Sequence, residues 1–181
     1  SSNLSTLSDN MGSYPDWLEL YNDSDRAINL KGYVLKAGTG ETNKYTFPDM
    51  EIGAGQFLIV YASSKYLSVN APIDLDAGFS LKNYIFTGRG TEDGEEKILS
   101  EAGAIYVPFG LSSGGTDILL VGRTGALVDE VDVPGLKYNV SYARINDGSG
   151  LFDMLSPSPG QSNSGSEKLI IPERDGLVLS R

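Results

Sequence analysis

Apolar residues in this chain recur at every second position rather than every third or fourth, the period of an extended strand with one buried face. In Asp16-Trp17-Leu18-Glu19-Leu20-Tyr21-Asn22, Leu18 and Leu20 share one face while Trp17, Glu19 and Tyr21 share the other. Asn22-Asp23-Ser24-Asp25 then supplies turn chemistry. A second short run holds Ile28 and Leu30, with Tyr33 and Leu35 beyond Gly32. Tyr45-Thr46-Phe47 stops at Pro48, which has no N–H to give a ladder. Gln56-Phe57-Leu58-Ile59-Val60-Tyr61 is almost wholly apolar and predicts a strand in the middle of a sheet. Asp117-Ile118-Leu119-Leu120-Val121 leads through the hairpin-like Arg123-Thr124-Gly125-Ala126 into a run where Leu127, Asp129, Val131 and Val133 share a face. A last run, Val140 to Ile145, closes on Asn146-Asp147-Gly148-Ser149-Gly150, a strong turn signal.

Short strands at this spacing, with almost no helical stretch, predict an all-β fold, a β-sandwich ahead of a barrel. Composition agrees, because 22 Gly and 8 Pro in 181 residues leave little room for long helices, while 40% hydrophobic and 21% charged residues suit a folded domain. An immunoglobulin-like sandwich needs only about 100 residues. The surplus falls in two places. One is a polar, turn-rich insertion at about 65–104 that includes Gly88-Arg89-Gly90-Thr91-Glu92-Asp93-Gly94. The other is the tail 164–181, in which Ser164-Gly165-Ser166 reads as a flexible joint ahead of a strand-like Gly176-Leu177-Val178-Leu179-Ser180.

The chain has no Cys and no His, so thiol chemistry, disulfides, thiolate or imidazole zinc sites and His-based triads are excluded. Its formal net charge of −10 repels phosphate, and no basic stripe offers itself to nucleic acid or anionic lipid. No stretch reaches the roughly 18 apolar residues of a membrane helix, and Ser1 to Asn10 lacks a signal-peptide pattern, which suggests a mature chain or a piece of a larger one. No cofactor or metal is expected. Asp147-Gly148-Ser149-Gly150 lacks the alternating acid ladder of a calcium loop, and Gly38-Thr39-Gly40 and Gly88-Arg89-Gly90 precede no helix that would cradle a phosphate.

Taken in order, Asp16-Trp17-Leu18-Glu19-Leu20-Tyr21-Asn22, Ile28-Asn29-Leu30-Lys31-Gly32-Tyr33-Val34-Leu35, Phe47-Pro48 with Ile52 to Val60, Phe109 to Gly115, Ser141-Tyr142-Ala143-Arg144 and Pro157 to Asn163 resemble the lamin-tail domain family in its bacterial, cell-surface form. The resemblance covers most of Tyr14 to Asn163. It implies an immunoglobulin-like β-sandwich that spans residues 1–163, recurs in large secreted or surface-attached bacterial proteins and usually has no chemistry of its own. In nuclear lamins the related domain binds proteins and is associated with DNA, and the acidic balance here speaks against the DNA role. Family members open with an apolar strand that this chain lacks ahead of Ser2-Asn3. The tail at Leu177 to Leu179 resembles it, so the tail either begins a following repeat or fills the vacant sheet edge, in its own molecule or a neighbour's.

The expected function is therefore a non-catalytic structural or protein-interaction module of a larger bacterial extracellular or cell-surface protein. Its partner would be another protein or the neighbouring domains of the same chain. The alternative is a carbohydrate-binding module that uses exposed tyrosines, Trp17 or the 65–104 insertion, with Trp17, Glu19 and Tyr21 as an aromatic platform on the outward face of their strand. Asp16 and Glu19 lie three apart on that strand and so point to opposite faces, which disfavours a paired-carboxylate catalyst. The plainer reading has Asp16 cap the Tyr14-Pro15 turn and Glu19 face solvent. Arg144, near Asp147 in sequence, reads as one half of a structural ion pair. Asn3-Leu4-Ser5, Asn22-Asp23-Ser24 and Asn139-Val140-Ser141 match the glycan acceptor pattern, a coincidence in a bacterium.

Overall fold

Residues 3–9, 12–40, 42–63, 104–148 and 150–169 are described by a computed structural model of the chain, and the alternation in them becomes strands throughout. In chain order these are β1 (Asp16–Tyr21), β2 (Ile28–Asn29), β3 (Val34–Ala37), β4 (Lys44–Thr46), β5 (Glu51–Ile52) and β6 (Phe57–Ala62). There follow β7 (Ala104–Val107), β8 (Gly115–Val121), β9 (Leu127–Pro134), β10 (Ser141–Arg144) and β11 (Phe152–Leu155). The described residues form no helix.

Two sheets, β1-β6-β7 and β4-β3-β8-β9, contribute to one apolar core, and the ribbons β2-β5 and β10-β11 complete the body. Leu35, Ala37 and Ile118 from the four-stranded sheet meet Leu58, Val60, Ala62, Ile105 and Val107 from the three-stranded one, with Phe47, Met50 and Phe109 closing the ends. This is an immunoglobulin-like β-sandwich. In β3 the alternation is plain, because Leu35 and Ala37 are buried between partly exposed neighbours. In β6, Leu58 to Ala62 are all buried, which explains why that segment shows no period of two. Its outer face is covered as well: the Tyr61 ring stacks on Tyr106 at 5.0 Å, and the Tyr61 hydroxyl donates to the Ser8 carbonyl at 2.9 Å.

The expected mid-chain insertion falls on residues 64–103, outside the described residues, and Ala104 is the first residue of β7. The flanking strands account for a long connection there. β6 and β7 pair in parallel, Ile59 opposite Ala104 and Ala62 opposite Val107, and no hairpin can join parallel neighbours. The β8–β9 turn is as expected: Gly122 N–H donates to the Ala126 carbonyl at 2.8 Å, and Gly125 takes φ 83°, a left-handed conformation that suits glycine.

Two segments differ from expectation. β11 was not legible, because Phe152-Asp153-Met154-Leu155 shows no clean alternation, yet it pairs with β10 over its whole length. Ser164-Gly165-Ser166 is a hydrogen-bonded turn, with Ser166 N–H on the Asn163 carbonyl at 2.9 Å, rather than an open joint. The chain then runs back along β11, where Ser156 N–H meets the Glu167 carbonyl and Leu169 N–H the Met154 carbonyl. The strand-like 177–180 lies outside the described residues.

Candidate functional site

β1 is an edge strand, hydrogen-bonded to β6 on one side only. Asn22 N–H donates to the Gln56 carbonyl at 3.0 Å, so alternation along an antiparallel ladder turns the main-chain groups of Leu20 and Leu18 toward β6. Those of Trp17, Glu19 and Tyr21 then face outward. Pro15, of the same parity, confirms the sense, because its carbonyl is taken by the Asn3 side-chain amide at 2.8 Å. Among the described residues no group meets the outward main-chain groups of Trp17, Glu19 and Tyr21.

A cleft of about 550 Å³ surrounds that edge. Its far wall is β9, itself bonded only to β8, and the β10-β11 hairpin roofs it. Side-chain contacts hold the roof on two sides. Arg144 on β10 reaches both carboxylate oxygens of Asp129 on β9 at 2.7 Å and lies over the Phe152 ring at 4.4 Å. On the other side Gly160 N–H donates to Glu19 Oε2 at 2.6 Å. The lining joins aromatic rings of Trp17, Tyr21, Tyr142 and Phe152 to the carboxylates of Asp16, Glu19, Asp23, Asp129, Glu130 and Asp147, with Arg144 the one basic side chain.

All three expected site residues, Trp17, Glu19 and Tyr21, line this cleft and are half-buried. Tyr21 stacks on its cross-strand neighbour Phe57 at 4.6 Å. Glu19 corrects the plainer reading, since it lies under the Pro157–Gly160 turn rather than facing solvent. Burial raises its pKa to about 7, partly offset by the Gly160 amide and reinforced by the nearby Asp147 charge. Asp16 accepts from Asn3 N–H at 3.2 Å rather than capping the Tyr14-Pro15 turn. Arg144 is in an ion pair as expected, with Asp129 as its partner, while Asp147 accepts from Asn163 N–H at 2.9 Å. Tyr142, Phe152 and Asp129 were missed, because only the folding back of β10 and β11 brings them to β1.

The three acceptor-pattern asparagines all have structural work. Asn22 is 3% exposed, and its amide nitrogen donates to the carbonyls of Arg26, Ile52 and Gly53 while its oxygen takes Ser24 N–H. Asn3 is buried against Leu7 and Pro15. Asn139, at φ 55°, accepts from the main-chain N–H groups of Leu4 and Ser5. Among the described residues no three acidic side chains gather closely enough to hold a metal ion.

An all-β sandwich with an acidic, aromatic cleft is a form that suits a structural or binding domain. The lamin tail domain family's sequence model matches residues 4–135, well over half of the chain, and the chain belongs to that family. The family consists of non-catalytic immunoglobulin-like domains. No curated protein matches the chain.

Proposed function

We propose that this domain is a non-catalytic module of a larger extracellular or cell-surface bacterial protein, and that it engages a protein segment in extended conformation through the cleft between β1 and β9. The outward main-chain groups of Trp17, Glu19 and Tyr21 carry this reading, because an unpaired edge inside an apolar cleft suits the addition of a strand. The acidic lining favours a segment with basic flanks and disfavours nucleic acid. Glu19 has the raised pKa of an acid–base catalyst. Its Oε2 is nevertheless held by Gly160, so its role is to seat the roof.

Trp17 is the only tryptophan, so the intrinsic emission of the protein reports directly on the cleft. Titration with an alternating Lys-Val peptide is expected to shift that emission to the blue, while soluble polysaccharides, calcium and duplex DNA leave it in place. A response to a polysaccharide alone would instead favour the carbohydrate-binding reading, for which the half-buried Trp17 and the stacked Tyr21 speak. No response to any probe would remove the cleft as a binding site.

A further inference from the structure

We propose that the β10-β11 roof, together with the 156–169 segment that follows it, is a lid held on β9 and released from β1 when Glu19 ionises, so that the cleft is closed in acid and opens as pH rises through neutrality. This rests on the reading of the cleft as a strand-accepting site and names what regulates access to it.

The lid holds together by itself. β10 and β11 pair along their whole length, and Ser156 N–H meets the Glu167 carbonyl, Leu169 N–H the Met154 carbonyl and Asn163 N–H the Asp147 carboxylate. Its two seams with the sandwich differ in charge. On β9, Arg144 meets Asp129, and these opposite charges attract on either side of neutrality. On β1, Glu19 meets the uncharged Gly160 amide with the Asp147 carboxylate near it. At the rim of the same seam the Asp23 carboxylate lies directly against Gly148, where an added methyl group would fall 2.5 Å from Asp23 Oδ2. The β1 seam is therefore closely fitted, yet it brings carboxylates together from both sides, Glu19 and Asp23 from the sandwich and Asp147 from the lid.

At Glu19 charge and closure conflict. The other charged groups of the cleft are Asp16 and Asp23 beside its own strand, Asp129 and Glu130 on β9, and Arg144 and Asp147 on the lid. Among them Asp147 is the one whose charge acts on Glu19, and it repels. Neutral, Glu19 stays under the 157–160 turn at little cost, but ionised it is a poorly hydrated charge beside a like one, and swinging the turn away restores its water. Burial first and Asp147 second hold its pKa at about 7 under the closed lid, against the pull of the Gly160 amide, and an open lid returns it toward the ordinary 4.5. The ratio of open to closed molecules then rises by up to roughly 300-fold from acid to above neutral pH.

Acrylamide quenching reads the lid, because the quencher is uncharged and Trp17, the only tryptophan, lines the cleft. On the full chain the quenching constant is expected to rise at least twofold between pH 5 and pH 8, with the far-UV circular dichroism unchanged. Glu19→Gln should remain at the low value throughout, and Asp147→Asn should show a smaller rise. Gly148→Ala, strained at φ 69° and crowded by Asp23, should show the high value already at pH 5. A flat profile in the unaltered chain, an equal rise in Glu19→Gln, or a rise that follows loss of the circular dichroism signal would each overturn the proposal. If the Lys-Val peptide binds equally well at pH 5 and pH 8, the cleft accepts strands without a lid and this proposal alone fails. If quenching shows the transition while no peptide binds at either pH, the lid stands and the strand-accepting reading fails.

Discussion

Asn22 concentrates more of the local architecture than any apolar residue near it. One amide reaches three carbonyls from two loops at the end of the sandwich; without it those of Arg26 and Gly53 keep Ser24 Oγ and Gln56 N–H as donors, while the buried contact to the Ile52 carbonyl is lost. Asn22→Ala is expected to cost about 1–3 kcal/mol of unfolding free energy by urea titration. Asn22→Asp keeps the acceptor and loses both N–H donors, so it should be no better. Glu19 makes a different prediction, of pH dependence. Its pKa is about 7 in the folded protein against an ordinary 4.5, so between those values the folded state holds more proton than the unfolded chain. Its contribution is therefore most favourable below pH 4.5 and is lost as pH rises toward 7. Glu19→Gln should flatten that part of the profile in thermal melts followed from pH 4 to 8. Neither role is visible in the sequence. Asn22 reads there as a turn residue because its carbonyl partners at Ile52 and Gly53 lie 30 and 31 positions away. Glu19 reads as an exposed strand residue because its cover, the turn at Gly160, is 141 positions away.

Among the elements, those whose partners are close in sequence were the easiest to read. The β8–β9 hairpin and the buried β6 announced themselves through turn chemistry and an unbroken apolar run, and β1 through its alternation. The cleft did not, because it is defined by which edges stay unpaired and by a hairpin that docks from far along the chain. The docking of β10-β11 is correspondingly light. Arg144 and Asp129 form a partly exposed pair, worth no more than about 1 kcal/mol, while the Arg144 guanidinium over Phe152, its cross-strand partner, adds a contribution of similar size within the hairpin itself. Arg144→Ala should therefore destabilise more than Asp129→Ala. In a double-mutant cycle the coupling should shrink as salt is raised, while the excess cost of Arg144→Ala persists. Equal costs for the two single substitutions would deny the ring contact any role.

For the whole molecule, the parallel pairing of β6 with β7 constrains what can join them. With Ile59 beside Ala104 and Ala62 beside Val107, the start of β7 lies about 10 Å back along the strand direction from the end of β6. Replacing residues 64–103 by a Gly-Ser linker of about 15 residues should preserve a cooperative thermal transition, whereas a linker of about 4 residues should abolish the pairing of β7 and expose the core around Ile105 and Val107. Circular dichroism melts of the two variants would tell them apart. The clasp at Asn139 carries a mechanical consequence. It holds Leu4 and Ser5, while two residues further on Ser141 pairs with Leu155, which bridges to Lys168. The two ends of the described chain are thus anchored almost side by side. Tension between them would peel these few bonds one at a time rather than shear whole ladders together, so the domain would lengthen at low force while both sheets stayed closed, a compliant link ahead of a stiff one.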